Sequence, residues 1–191
     1  SVARAPRRER HAAKAGPGWA QRTPYNRGQI LYRLGEMLES RSEEMADALV
    51  VSGASTKANA RKEVTGAVDR LIYYAGWSDK YEQVLGNTNP VAGPFFNFTV
   101  AEPMGIIGVI AADSDPLLGL ISQIAPVIVA GNTVIALASE TQPYPAIVLG
   151  EMLVGLIGII GNAADMAEQL PRRDAMALVR EIGDIVANIG V

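Results

Sequence analysis

The chain has no cysteine in its 191 residues. Disulfides, thiolate metal sites and a thiol nucleophile are therefore excluded within it. It has one histidine, His11, set in a basic segment, so a His-based metal site or a Ser-His-Asp arrangement would have to rest on a single imidazole. No metal site is expected. Charge is sparse as well. Charged residues make up 19 % of the chain, the net charge is -3, and none occurs between Asp115 and Glu140. So mild a balance does not point to a nucleic-acid partner or to a strongly acidic or basic substrate. Residues 1–18 are rich in Arg and Ala but lack the apolar core of a secretory signal. They read as a basic, flexible lead-in, and the expected location is cytoplasmic.

What is present is an apolar chain, 49 % hydrophobic, with ample material for a packed core. Thr23 followed by Pro24 is a helix start, a cap and then proline at the first helical position. Ile30, Leu31, Leu34, Leu38, Met45, Leu49 and Val50 then recur at spacings of three and four, which predicts one amphipathic helix running to Gly53. A second helix follows Ser55, with Val64, Val68, Leu71, Ile72 and Ala75 on one face. Together, residues 19–86 predict a helical hairpin. Residues 86–94 form a loop of Gly, Asn and Pro. Residues 95–100 alternate aromatic and polar side chains, predicting an exposed edge strand within 95–103. An uncovered edge carrying Phe95, Phe96 and Phe98 calls for a partner.

Beyond Gly105 the pattern changes. Residues 106–111 and 133–138 are short, β-branched apolar runs that predict buried strands. Asp115-Pro116 reads as the cap and start of a helix between them, closed by Gly131-Asn132. Pro143 and Pro145 introduce another helix, and residues 156–160 are read as a third strand. Two more helices are expected over 163–191. Strands alternating with helices predict an α/β domain over 19–191, with a βαβαβ parallel core at 105–161 covered on both faces. The uncharged stretch from Asp115 to Glu140 is long enough to cross a bilayer. Pro126 and the break at Gly131, Asn132 and Thr133 divide it into helix, turn and strand. A membrane-associated chain with one or two hydrophobic spans stands as an alternative.

The run Glu102-Pro103-Met104-Gly105-Ile106-Ile107-Gly108-Val109-Ile110, then Pro116-Leu117, then Ile124-Ala125-Pro126 up to Ala130-Gly131-Asn132-Thr133-Val134, resembles the aldehyde dehydrogenase superfamily. Order, spacing and glycines agree from Glu102 to Glu140. Trp19, Arg27, Glu63 and Tyr73-Tyr74-Ala75-Gly76 are similar to the family's N-terminal helices, so the likeness covers most of residues 18–161. It implies the family's N-terminal, coenzyme-binding half: a helical hairpin packed on a small Rossmann-like parallel sheet, truncated relative to the full fold. It also implies a site for NAD or NADP along the carboxyl ends of the strands.

Residue by residue, that site departs from the family pattern. The family's Pro-Trp-Asn falls on Ala112, Asp113 and Ser114. The asparagine there is an oxyanion donor, an effect worth roughly 3 kcal/mol in a comparable site, and Ser114 is shorter. The Lys and Glu that grip the adenosine ribose fall on Leu137 and Glu140. Glu140 can accept hydrogen bonds from a diol, whereas Leu137 can donate none. The motif's proline becomes Ala138, and Ser139 is kept. Asp113 and Asp115 add negative charge where a pyrophosphate or oxyanion would lie. Asp115 is read as a helix cap rather than a base. The expected function is an aldehyde-dehydrogenase-like domain, non-catalytic alone, acting as scaffold or partner subunit in a homo-oligomer or with a related dehydrogenase. The alternatives are the coenzyme-binding half of a split enzyme and a piece of a longer one.

Overall fold

The computed structural model describes residues 7–53 and 56–160. The two helices expected over 163–191 lie outside the described residues. The lead-in is a helix from its seventh residue: α1 spans Arg7–Ala20, includes Pro17, and packs against the strands described below. Trp19 fastens its end by donating its indole Nε1–H to the carbonyl of Ile128 at 2.8 Å.

The predicted first helix is two helices, α2 (Pro24–Ser40) and α3 (Ser42–Val51). The Thr23 hydroxyl caps α2 by accepting from the Asn26 amide at 3.2 Å. Arg41, at φ -108° and ψ 24°, interrupts the helical dihedrals between the two. The apolar stripe continues across this break, with Leu38, Met45 and Leu49 all buried. α4 (Lys57–Trp77) is capped by Thr56 and packs along both α2 and α3. The Glu43 carboxylate on α3 bonds Arg61 and Lys57 on α4, which holds it down to about 2. The short α5 (Tyr81–Leu85) follows.

The segment expected as an edge strand forms no strand. Residues 86–104 make one isolated antiparallel bridge, Thr88 with Phe98, closed by Asn89 N–H to Asn97 O and Thr99 N–H to Asn87 O, both 2.8 Å. Proline at 90, 94 and 103 limits how far that pairing can extend. Phe95 and Phe96 remain 73 % and 76 % exposed.

The α/β part is β1 (Ile106–Ile110), α6 (Leu118–Val129), β2 (Thr133–Leu137) and α7 (Tyr144–Ile160). β1 and β2 pair in parallel, from Ile106 opposite Thr133 to Ile110 opposite Leu137. The fold is thus α/β, with a parallel sheet of two strands among the described residues. The expected third strand over 156–160 is the last part of α7. A five-residue apolar run has no period that separates strand from buried helix, and here it continues a helix already begun at Tyr144. Side chains alternate faces along β1. Val109 is buried, while Ile106, Gly108 and Ile110 lie on an open face, with Ile110 73 % exposed. The uncharged stretch divides into α6, a turn and β2. Among the described residues no helix is long and apolar enough to cross a membrane.

Candidate functional site

The most recognisable block, Gly131-Asn132-Thr133, is a fastening. Gly131 has φ +87°, a conformation that glycine adopts without steric cost. A Cβ there would meet Pro103 Cγ at 2.9 Å and the Arg27 guanidinium at 3.3 Å. The Asn132 Oδ1 accepts the Gly105 amide at 3.0 Å, setting the start of β1 beside the start of β2.

Both ends of α6 are held by the N-terminal helices. Glu63, buried on α4, accepts the amides of Leu117 and Leu118 with one oxygen, at 2.9 and 3.1 Å. This satisfies donors that a helix N-terminus leaves free and places negative charge at the positive end of its dipole. Asp115 does not cap the helix. It sits at φ +51°, the helix's N-cap position is Leu117, and no side chain of its own first turn caps it. The acceptor arrives from another helix instead. At the other end, Arg27 is 3 % exposed and donates Nε–H to the Val129 carbonyl at 2.8 Å. Its Nη1 reaches the carbonyls of Ala20 and Arg22, and its Nη2 the Tyr81 hydroxyl at 3.3 Å. Sequence reasoning placed Glu63 and Arg27 only by resemblance. Their buried charges in otherwise apolar helix faces were the available signal.

These clamps present two loops at the carboxyl edge of the sheet, 111–117 after β1 and 138–143 after β2. Asp113 joins them. Its Oδ1 accepts the Ser139 hydroxyl at 2.5 Å and the Thr141 hydroxyl at 3.0 Å. These bonds, with the Thr141 amide, hold the carboxyl below its usual range. Ser139, 3 % exposed, also accepts the Gln142 amide at 3.0 Å. Alongside lies an open cleft of about 620 Å³, bordered by Lys62 and Asn59 of α4 and by Asp113, Ser114, Asp115 and Gln142.

The predicted site residues are divided by this arrangement. Ala112 and Ser114 are exposed on the first loop, and Ser114 borders the cleft. Leu137 ends β2, half-buried, its carbonyl accepting the Ala111 amide at 2.9 Å. Glu140 is exposed and makes no hydrogen bond within the described residues. Ser139 is drawn inward to Asp113. A dinucleotide asks this edge for hydrogen-bond donors to its phosphates. The hydroxyls of Ser139 and Thr141 are already engaged by a carboxylate, and Leu137 offers none. The residues of these two loops as they stand do not fit that group; the cation beside them is Lys62, from α4. Among the described residues no three His, Asp or Glu side chains are grouped to hold a metal.

Comparison with known proteins gives a consistent result. The sequence model of the aldehyde dehydrogenase family matches residues 3–183. Human aldehyde dehydrogenase 1A1 is 32 % identical over 153 residues, covering 80 % of this chain and 30 % of the human one. The Bacillus subtilis putative aldehyde dehydrogenase DhaS is 29 % identical over 166 residues, covering 83 % of this chain and 33 % of its own. PnpE of Pseudomonas, solved in complex with nicotinamide adenine dinucleotide, superposes with a TM-score of 0.72 at 27 % identity, covering 76 % of this chain and 30 % of PnpE. The chain therefore spans about a third of the length of the relatives it matches.

Proposed function

Since the chain belongs to the aldehyde dehydrogenase family, we propose that these residues are its N-terminal, coenzyme-side unit, non-catalytic on their own and acting as a scaffold or partner subunit. The observation that carries this reading is the lack of any cysteine among 191 residues. Oxidising an aldehyde through a covalent adduct needs an activated nucleophile. Among the described residues the carboxyl edge offers carboxylates and hydroxyls, such as the engaged Asp113 and the exposed Ser114, Asp115 and Glu140, and no thiol. Supporting it, Asp113 stands where a pyrophosphate would need donors, and Leu137 replaces the residue expected to grip a ribose.

The test is a titration with NADH, following energy transfer from Trp19 and Trp77 to the nicotinamide. A folded chain should show no saturable binding up to millimolar coenzyme. Saturation in the micromolar range would sink the scaffold reading. It would favour the coenzyme-binding half of a split enzyme, for which the free Glu140 carboxylate is the specific support.

A scaffold needs a surface for its partner. The open face of β1 and the exposed Phe95, Phe96 and Phe98 supply apolar area of the kind that marks interfaces. We expect sedimentation velocity to find a homo-oligomer at micromolar concentration, shifted to monomer by the double change Phe95→Ser and Phe98→Ser. A monodisperse monomer of the unmodified chain would remove homo-oligomerisation. A related dehydrogenase subunit would then remain as the partner.

A further inference from the structure

We propose that Asp113 is an intramolecular stand-in for an anionic ligand: its carboxylate occupies the donors at the carboxyl edge of the sheet that would otherwise bind a phosphate-bearing molecule. The inference rests on the reading of this edge as the coenzyme side, and goes beyond it by assigning the loss of binding to one side chain.

Three observations support it. First, the donor set is convergent. The Ser139 and Thr141 hydroxyls both point to one carboxylate oxygen, at 2.5 and 3.0 Å, from the loop that follows β2. Hydroxyl donors gathered on one anionic oxygen are the chemistry that also recognises a phosphate oxygen. Second, the inner donor is fixed. Ser139 is buried, and its oxygen is held from the other side by the Gln142 amide at 3.0 Å. Removing the carboxylate therefore leaves the Ser139 hydroxyl in place, with that of Thr141 3.3 Å away. Third, the carboxylate comes from the neighbouring loop, 26 residues away. It thus bridges the crevice outside the strand ends, where ligands of open parallel sheets bind. An incoming phosphate meets both a filled donor set and a like charge.

The experiment compares the unmodified 191-residue chain with Asp113→Ala, Asp113→Asn and Ser139→Ala in the NADH titration, with far-ultraviolet circular dichroism to confirm folding. Inorganic pyrophosphate serves as competitor. Asp113→Ala is expected to bind NADH at least about tenfold more tightly than the unmodified chain, the scale of one charge-assisted bond exchanged, and pyrophosphate should reverse the gain. Asp113→Asn keeps an acceptor for Ser139 but loses the charge, and should give a smaller gain in the same direction. It carries the test if the alanine variant does not fold. Ser139→Ala should give no gain, because it breaks the contact but also removes a donor.

A folded Asp113→Ala and a folded Asp113→Asn that bind no better than the unmodified chain would overturn the proposal while leaving the scaffold reading intact. A gain in Ser139→Ala equal to that in Asp113→Ala would overturn it too, since loosening the loops would then be sufficient. A gain that pyrophosphate does not reverse would also overturn it, placing recognition on the nucleoside rather than the phosphates. If the unmodified chain already saturates, the scaffold reading fails, and the proposal is decided by whether Asp113→Ala tightens binding further.

Discussion

Arg27→Met is expected to lower the free energy of unfolding by about 3 kcal/mol. Methionine keeps the volume of the stem but donates nothing. The carbonyls of Ala20, Arg22 and Val129 would lose their buried donor, and the Tyr81 hydroxyl its guanidinium. Bonds to a charged donor are worth about 1.5–3 kcal/mol each. Removing the charge also removes the cost of keeping it from water, so the net is well below their sum. Urea denaturation followed by tryptophan fluorescence measures it as a lower midpoint at unchanged slope. Arg27→Lys should recover less than half of the loss, because an ammonium cannot reproduce the planar fork that serves several carbonyls at once. A midpoint unmoved in Arg27→Met would show that the clamp on the end of α6 contributes nothing to stability.

Glu63→Ala is the second large effect, about 2 kcal/mol. It strips the acceptor from the Leu117 and Leu118 amides at a position that is 9 % exposed. Glu63→Gln separates the two contributions. Its carbonyl can still accept both amides, so it loses only the interaction of the charge with the helix dipole, about 1 kcal/mol. Amide exchange gives a local reading. Leu117 and Leu118 should exchange faster in the alanine variant while Leu31 and Leu34, in the α2 core, are altered only through global stability. Equal stability of the alanine and glutamine variants would assign the whole effect to charge and none to the cap.

Much of this architecture was legible because it follows from short-range chemistry. Thr23 marks a helix start by a capping bond three residues long, and the helix read as following Ser55 is capped in the same way by Thr56. Residues 106–111 and 133–138 announce strands because β-branched residues are bounded by glycine on one side and polar residues on the other. They agree with β1 and β2 to within one residue. The failures share a cause. At Arg41 the backbone breaks while the apolar stripe does not, so periodicity alone runs α2 into α3. In residues 156–160 every position is apolar or glycine, and no pattern remains from which to choose. The Asp115 cap was a local inference, defeated by an acceptor from 54 residues earlier. The candidate site is a different case. Its positions could be assigned by resemblance, but that Ser139 faces Asp113 rather than solvent depends on how two loops meet in space.

The two grips on α6 set an order of events during synthesis. Arg27 and its acceptor at Val129 are 102 residues apart, and Glu63 and Leu117 are 54 apart. At a translation rate of about 5–20 residues per second, Arg27 leaves the ribosome about 5–20 s before its partner does. During that interval α2, α3 and α4 have only one another to pack against. Until then the Arg27 guanidinium has only its nearer partners, the Ala20 and Arg22 carbonyls and the Tyr81 hydroxyl, and the Glu63 carboxylate waits for the amides it will cap. The same two charges that lock the finished domain thus mark, while the chain is still growing, the two points at which α6 has yet to dock.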